Sequence, residues 1–215
     1  MSNWVSINNI LVTIDGYPLS YVEFIGTVTG LFSVWFAARS NILTWPVGLI
    51  NVSCFFIIFF QVNLYSDMFL QAYFFVVSIY GWAIWAKKTN DHEQIVERLS
   101  KSQRLLWGII ILVLTIVIGV FVKNINLFIP AIFSKPASYP FLDTFVAVMS
   151  IVATILLAQK KLENWPLWIT IDVISIGLYA QKHVLSIAIE YGIFLCLATW
   201  GFVSWIKNEK RVSSR

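Results

Sequence analysis

Asp172 stands at the end of Asn-Trp-Pro-Leu-Trp-Ile-Thr-Ile-Asp (164–172), which runs on into Val-Ile-Ser-Ile-Gly-Leu-Tyr-Ala-Gln. A charged group near a bilayer centre costs at least ~2.5–3.5 kcal/mol, so an acid in so apolar a segment calls for a partner or a cavity. Trp165, Trp168, Asp172, Ser175 and Tyr179 follow spacings of 3, 4, 3 and 4, which puts all five on one helical face. A second stripe, Asp67, Gln71, Phe74, Ser78 and Trp82, has the same period, and Gly48, Asn51 and Phe55 form a third. Glu190 and Tyr191 add an adjacent acid and phenol. Together these faces read as the walls of a central path. Aromatic rings offer stacking and cation–π surface, Asn51, Gln71 and Tyr191 offer hydrogen bonds, and Asp172 offers negative charge. A flat, cationic, heteroaromatic solute carrying hydroxyls would suit such walls.

Plainer readings stand beside these. Trp82, Trp85, Trp200 and Trp205 lie near helix ends beside lysines, where an aromatic belt is the default. Glu23, Asp67 and Asp143 sit near the outer ends, where solvation alone could account for them. Asn51 and Gln71 could serve as interhelical glue. Lys182 is a poor counter-ion for Asp172, being ten residues on and roughly 15 Å along the axis. Cys54 and Cys196 fall in apolar windows and read as two buried free thiols. His92 and His183 lack partners at a metal-ligand spacing, so no metal site is expected.

The elements that hold these residues are plain from hydropathy. Of 215 residues 59% are hydrophobic and 12% charged, with mean hydropathy +0.78; a soluble domain is about 25% charged. Apolar windows fall near 21–38, 45–62, 66–86, 105–122, 141–158, 164–181 and 185–206. Most reach the ~17–25 residues that cross hydrocarbon as a helix. An all-α membrane protein with seven transmembrane helices is the expectation. Residues 1–20, ending in Asp-Gly-Tyr-Pro-Leu-Ser, read as a short interfacial helix and turn with no signal peptide. Pro46 and Pro166 sit in first helical turns, where a missing N–H costs nothing.

With the N-terminus outside, 12 of the 15 Lys and Arg residues fall on the inner side. The positive-inside rule then puts the C-terminus in the cytoplasm, and the basic clusters need no nucleic acid to explain them.

Shifted by 120 residues, the chain matches itself without a gap. Trp45-Pro46 falls on Trp165-Pro166, Gln61 on Gln181, Ser66 on Ser186 and Phe74 on Phe194; Gly81, Trp85 and Lys87 fall on Gly201, Trp205 and Lys207. Ten of 68 positions over 21–88 are identical. Equivalent helices lie four crossings apart, so both units point the same way. The expectation is one transporter domain over 1–215: a three-helix repeat (21–88), a linker helix (105–122) and a second three-helix repeat (141–208), three plus one plus three. Secondary transporters with parallel repeats hold substrate near midplane between them.

Residues 48–85 and 163–194, with Leu-Tyr-x-Asp-x-x-Leu-Gln at 64–71, Tyr-Gly-Trp at 80–82 and Trp-x-x-Trp at 165–168, resemble PnuC-type nicotinamide riboside transporters, as do residues 8–27. The resemblance covers all but 89–104 and 123–140. It implies a SWEET-like fold in a bacterial inner membrane, and facilitated diffusion of nicotinamide riboside with trapping by phosphorylation inside. No cofactor is implied, and either a monomer or a homo-oligomer is compatible. In that reading Trp168 and Phe74 stack on the nicotinamide ring and Asp172 offsets its charge. Asn51, Gln71 and Tyr191 bond ribose or carboxamide, and Glu190 leaves room for proton coupling. Asp172 stands where several such carriers have asparagine. Relatives of the same fold carry thiamine, also a cation, or riboflavin, which is not; an acid argues against riboflavin and leaves thiamine open. A membrane enzyme using Asp172 and Glu190 lacks a nucleophile, metal cluster or cofactor motif, and the repeat weighs against a seven-helix receptor.

Overall fold

A computed structural model describes residues 5–14, 16–62, 65–88, 96–128, 139–181 and 185–213. It opens on a β-hairpin, β1 (Ile10–Ile14) and β2 (Tyr17–Ser20), followed by α1 (Tyr21–Ala38), α2 (Thr44–Gln61) and α3 (Tyr65–Lys88). Then come α4 (Lys101–Lys123), a single turn α5 (Ile125–Phe128), α6 (Pro140–Ala158), α7 (Asn164–Gln181) and α8 (Leu185–Ser213). Six of the long helices are long and apolar enough to cross a membrane; α7, which carries Asp172, is not among them. Polar lining residues lower its hydropathy. The chain is a multi-pass membrane protein whose long elements are all helices.

The seven long helices follow the seven windows closely, and the ends have local causes. Ser20 caps α1 by accepting from the Glu23 N–H at 3.3 Å. Ser100 and Gln103 form a capping box that starts α4 four residues before its apolar window. Pro140 opens α6, and Pro46 and Pro166 lie in the first turns of α2 and α7. The N-terminal segment departs from expectation: in place of an interfacial helix it forms the hairpin. Ile-Leu-Val-Thr-Ile favours extended backbone, and Gly16 at φ 84° supplies the left-handed turn position. The Gln61 side chain anchors this segment, donating to Val5 O at 2.7 Å and accepting from Ile7 N–H at 3.0 Å.

The turns from α1 to α2 and from α6 to α7 are built alike. Ser40 N–H donates to Ala37 O and Asn41 N–H to Phe36 O; Lys160 N–H donates to Leu157 O and Lys161 N–H to Leu156 O. That is the Schellman pattern, with Ser40 (φ 53°) and Lys160 (φ 56°) in the left-handed position glycine usually takes. Helix α2 packs on α1 and α3, and α7 on α6 and α8, while α4 packs on α6. Two further interfaces, α1 with α8 and α3 with α6, join the first three long helices to the last three.

Apolar side chains gain nothing by leaving lipid for another helix, so close backbone approach carries the packing. Ala38, Ala153 and Ala158 are fully buried, and a Cβ on Gly81 or Gly201 would collide with the ring of Trp45 or Trp165. Trp45 meets Trp85 edge-on at 5.3 Å and Trp165 meets Trp205 at 5.5 Å. Trp85 and Trp205 are 0% exposed, so they belong to this core, while Trp82 and Trp200 face outward as belt residues would. Both cysteines are free; Cys54 is half-buried, but Cys196 is exposed on α8 instead of buried.

Segment 96–100 straps the end where α1, α3, α6 and α8 finish. It buries Val96 and Leu99. Glu97 pairs with Lys161, Arg98 with Glu209, and Arg104 of α4 with Glu163.

Candidate functional site

The helices enclose a cavity of about 290 Å³, lined from all of α1, α2, α3, α6, α7 and α8. Asn51, Gln71, Phe74, Trp168, Asp172 and Tyr191 line it together. Glu190 does not: its carboxyl turns toward α1, beside Thr27 and Glu23. Each stripe read from sequence faces the cavity in part: Trp165, Trp168 and Asp172 of the first, Gln71, Phe74 and Ser78 of the second, Gly48 and Asn51 of the third; Asp67, Trp82, Phe55, Ser175 and Tyr179 are not among the lining residues.

The two indoles before Asp172 divide the work. Trp165 is 1% exposed, its ring pressed on Gly201, so it is wall. Trp168 is half-buried and keeps an aromatic surface for the cavity. Asp172 is 4% exposed, and none of the ion pairs among the described residues includes it; Lys182 lies outside those residues. Tyr191 lies beside both Asp172 and Ser175. Its ring is fixed by stacking on Tyr179 (5.6 Å, 15°) and by an edge contact with Phe194.

Asn51 is oriented as well as exposed to the cavity. Its Nδ2 donates to Gly26 O at 2.8 Å, across to α1, which leaves Oδ1 to accept from a solute hydroxyl or amide. The glue reading and the lining reading therefore both apply to it. Gly30 makes room, since a Cβ there would stand 2.7 Å from that Nδ2. Ser33 and Thr44 also line the cavity, but their hydroxyls are spent on each other's backbone: Ser33 Oγ donates to Thr44 O and Thr44 Oγ1 to Ser33 O. The hydroxyl of Thr154 is likewise taken by Ser150 O. Free recognition chemistry thus concentrates in Asn51, Gln71, Asp172 and Tyr191 against the rings of Phe74, Trp168 and Phe194.

Sequence reasoning passed over Phe194, Gly30, Ser33, Thr44 and Thr154. Phe194 was within reach, because it falls on Phe74 in the 120-residue shift. The others are small residues inside apolar windows, and nothing in their spacing separates a lining position from a packing one.

Outside the cavity, Tyr17 on β2 donates to the Glu23 carboxylate. That hydrogen bond holds the proton, and burial and the neighbouring negative charge add to it, so the phenol is pushed up to about 12.

Residues 20–207 match the family model described as nicotinamide mononucleotide transporter. The nicotinamide riboside transporter PnuC of Escherichia coli (strain K12) is 35% identical over 99% of this chain and 98% of its own length. The nicotinamide riboside transporter PnuC of Neisseria mucosa is 28% identical over 92% of this chain and 76% of its own. A solved structure, the crystal structure of the vitamin B3 transporter PnuC, superposes with a TM-score of 0.66 at 26% identity, covering 89% of this chain and 83% of that one.

Proposed function

The chain belongs to the nicotinamide mononucleotide transporter family, and from that premise we propose that it takes up nicotinamide riboside by facilitated diffusion. The cavity is its midplane site, and phosphorylation inside the cell traps what enters. One observation carries the substrate reading: the buried Asp172 carboxyl, outside every ion pair among the described residues, stands in a cavity walled by Trp168, Phe74, Tyr191 and Phe194. The nicotinamide ring of the riboside is a pyridinium cation, and such a site suits it through aromatic faces and one opposed charge.

In this reading Trp168 and Phe74 sandwich the ring and Asp172 offsets its charge. Asn51 Oδ1, Gln71 and Tyr191 take the ribose hydroxyls and carboxamide. Glu190, turned toward α1, acts only if transport is coupled to protons; identical uptake with and without a proton gradient removes that role. The protein works as three plus one plus three helices, with α4 as linker, and sits in the bacterial inner membrane with its N-terminus outside and C-terminus in the cytoplasm. The like turns at Ser40 and Lys160 and the like Trp–Gly contacts support the repeat. The charge distribution supports the orientation.

Thiamine is the second reading, favoured by the same carboxyl because thiamine too is an aromatic cation. Titration of the purified protein with each, followed by quenching of its tryptophans, separates them. Saturable quenching by the riboside and not by thiamine is expected; the reverse would keep the site and change the vitamin. Accumulation of unaltered riboside in vesicles distinguishes a carrier from a receptor or an enzyme.

A further inference from the structure

A layer of four indoles closes one end of the cavity. Trp45 and Trp165 border it, and Trp85 and Trp205 lie directly behind them with no exposure. Trp85 Nε1 donates to Ala158 O at 3.0 Å, and Trp205 Nε1 donates to Ala37 O at 3.0 Å. The first bond crosses from α3 to α6, the second from α8 to α1. These are the two interfaces that join the first three long helices to the last three. We infer that the paired indole–carbonyl bonds are a gate: they hold the cavity shut at the end where α1 and α6 finish, and both release together when solute leaves there. The inference rests on the transport reading, which makes that end the cytoplasmic exit.

Three features fit a gate better than permanent packing. The acceptors sit at the C-terminal ends of α1 and α6: Ala37 O keeps the turn bond from Ser40 N–H if the indole leaves, and Ala158 lies in the last turn, where a donor can be exchanged without breaking a helix. The layer is also imperfect: Trp45 Nε1 and Trp165 Nε1 are buried with no acceptor. Unmet buried donors penalise the closed arrangement, so an open one, with water at those N–H groups, stands close in free energy. Finally, the same interfaces have the opposite character at their far ends. There Glu23 of α1 faces Glu190 of α8, and Asp67 of α3 lies near Asp143 of α6. Carboxyls brought together oppose closure at those ends, while the indole ends hold by neutral hydrogen bonds. Away from the indoles these interfaces hold by lone contacts among the described residues, Tyr73 to Ile151 O between α3 and α6 and Thr27 to Glu190 between α1 and α8, so the paired indole bonds are the matched feature about which the two halves can rock, as alternating access requires.

The test uses the full chain in proteoliposomes, with Cys54→Ser and Cys196→Ser as background and Ser78→Cys as a reporter inside the cavity. Its reaction with a membrane-impermeant maleimide is followed from each face. Trp85→Phe and Trp205→Phe keep a ring but remove the donor. Each should speed labelling from the indole end about fivefold, the worth of one neutral hydrogen bond, and leave labelling from the other end no faster. Unchanged labelling in variants that unfold at the temperature of the parent protein would overturn the gate, and so would equal acceleration from both faces. Hydrogen exchange on the unaltered protein provides an arm that no folding defect can spoil. Nicotinamide riboside should change exchange at 36–45 and 156–165 together; a change at one alone overturns the coupling. The labelling arm contains no riboside, so a wrong vitamin would fail the quenching titration and leave the gate result standing.

Discussion

The two halves of the cavity wall share a framework and differ in their chemistry. Sixteen of the twenty lining residues fall into eight pairs 120 positions apart, so the cavity straddles the proposed twofold axis. At the indole end Trp45 is matched by Trp165, and Ala37 has an apolar counterpart in Leu157. Toward the middle the pairs diverge. Gly48 is opposed by Trp168, Val52 by Asp172 and Gln71 by Tyr191, while Asn51 has an isoleucine, Ile171, as its counterpart. Moving parts must be duplicated if two units are to rock against each other. A recognition site for a solute without symmetry gains nothing from duplication. Phe74 and Phe194 are a matched exception, one ring from each half offered to the solute; apart from them the comparison assigns matched positions to conformational work and unmatched ones to binding.

The largest effect should follow from making the halves alike at the charged pair. Asp172→Val reproduces Val52 and removes the one acid among the lining residues. A charge-assisted contact is worth about 1.5–3 kcal/mol, so the riboside should bind roughly 100-fold more weakly, while an uncharged reduced analogue should lose far less. Asp172→Asn should preserve that ranking with smaller losses. Equal losses for charged and neutral ligands would mean that Asp172 supports the fold and does not read charge.

Next come the glycines beneath the indoles. Gly81→Ala and Gly201→Ala each drive a methyl into a tryptophan ring, Trp45 or Trp165, and overpacking of this kind costs about 1–3 kcal/mol. Thermal unfolding should fall by similar amounts in both variants. A large drop in one alone would break the claim that the two halves share a framework. A smaller effect is expected at Gly30, whose counterpart Ser150 already carries a side chain. Gly30→Ala should push the Asn51 amide off Gly26 O and weaken riboside binding about fivefold, one neutral hydrogen bond, with little change in stability. Ser150→Ala should leave binding unaltered.

How much of this could be read in advance follows the same division. Helix positions were legible because lipid demands long apolar runs, and the matched windows reflect that demand. Six of the seven chosen residues reached the cavity because polar groups at helical spacing in apolar segments have few other places to go. Glu190 did not, since one step along a helix turns a side chain by about 100°, and its neighbour Tyr191 took the inward position. The hairpin was missed because its strands are short and its turn rests on a single glycine. Trp85 and Trp205 look like belt residues in sequence, because nearness to lysine does not reveal that a neighbouring helix end covers them. The carbonyls they bond, Ala158 and Ala37, lie 73 and 168 residues away, beyond what spacing can report.

The smallest predicted effect bears most sharply on the comparison, because here two matched positions should respond with opposite signs. Ser40 and Lys160 occupy equivalent turns with the same left-handed backbone, a conformation that costs a non-glycine residue roughly 1–2 kcal/mol. Glycine removes that cost but gives the unfolded chain about 0.5–1 kcal/mol of extra freedom. Ser40→Gly should therefore leave thermal stability unchanged or raise it slightly. Lys160 is not merely strained: its ammonium lies 4.0 Å from the Trp85 ring and is 2% exposed. A desolvated cation–π contact is worth about 2 kcal/mol, so Lys160→Gly should lower stability despite relieving the backbone. It should also loosen the Trp85 side of the gate more than the Trp205 side. If both glycine variants move stability the same way, Lys160 contributes no more than its backbone, and the two turns are alike in energy as well as in shape.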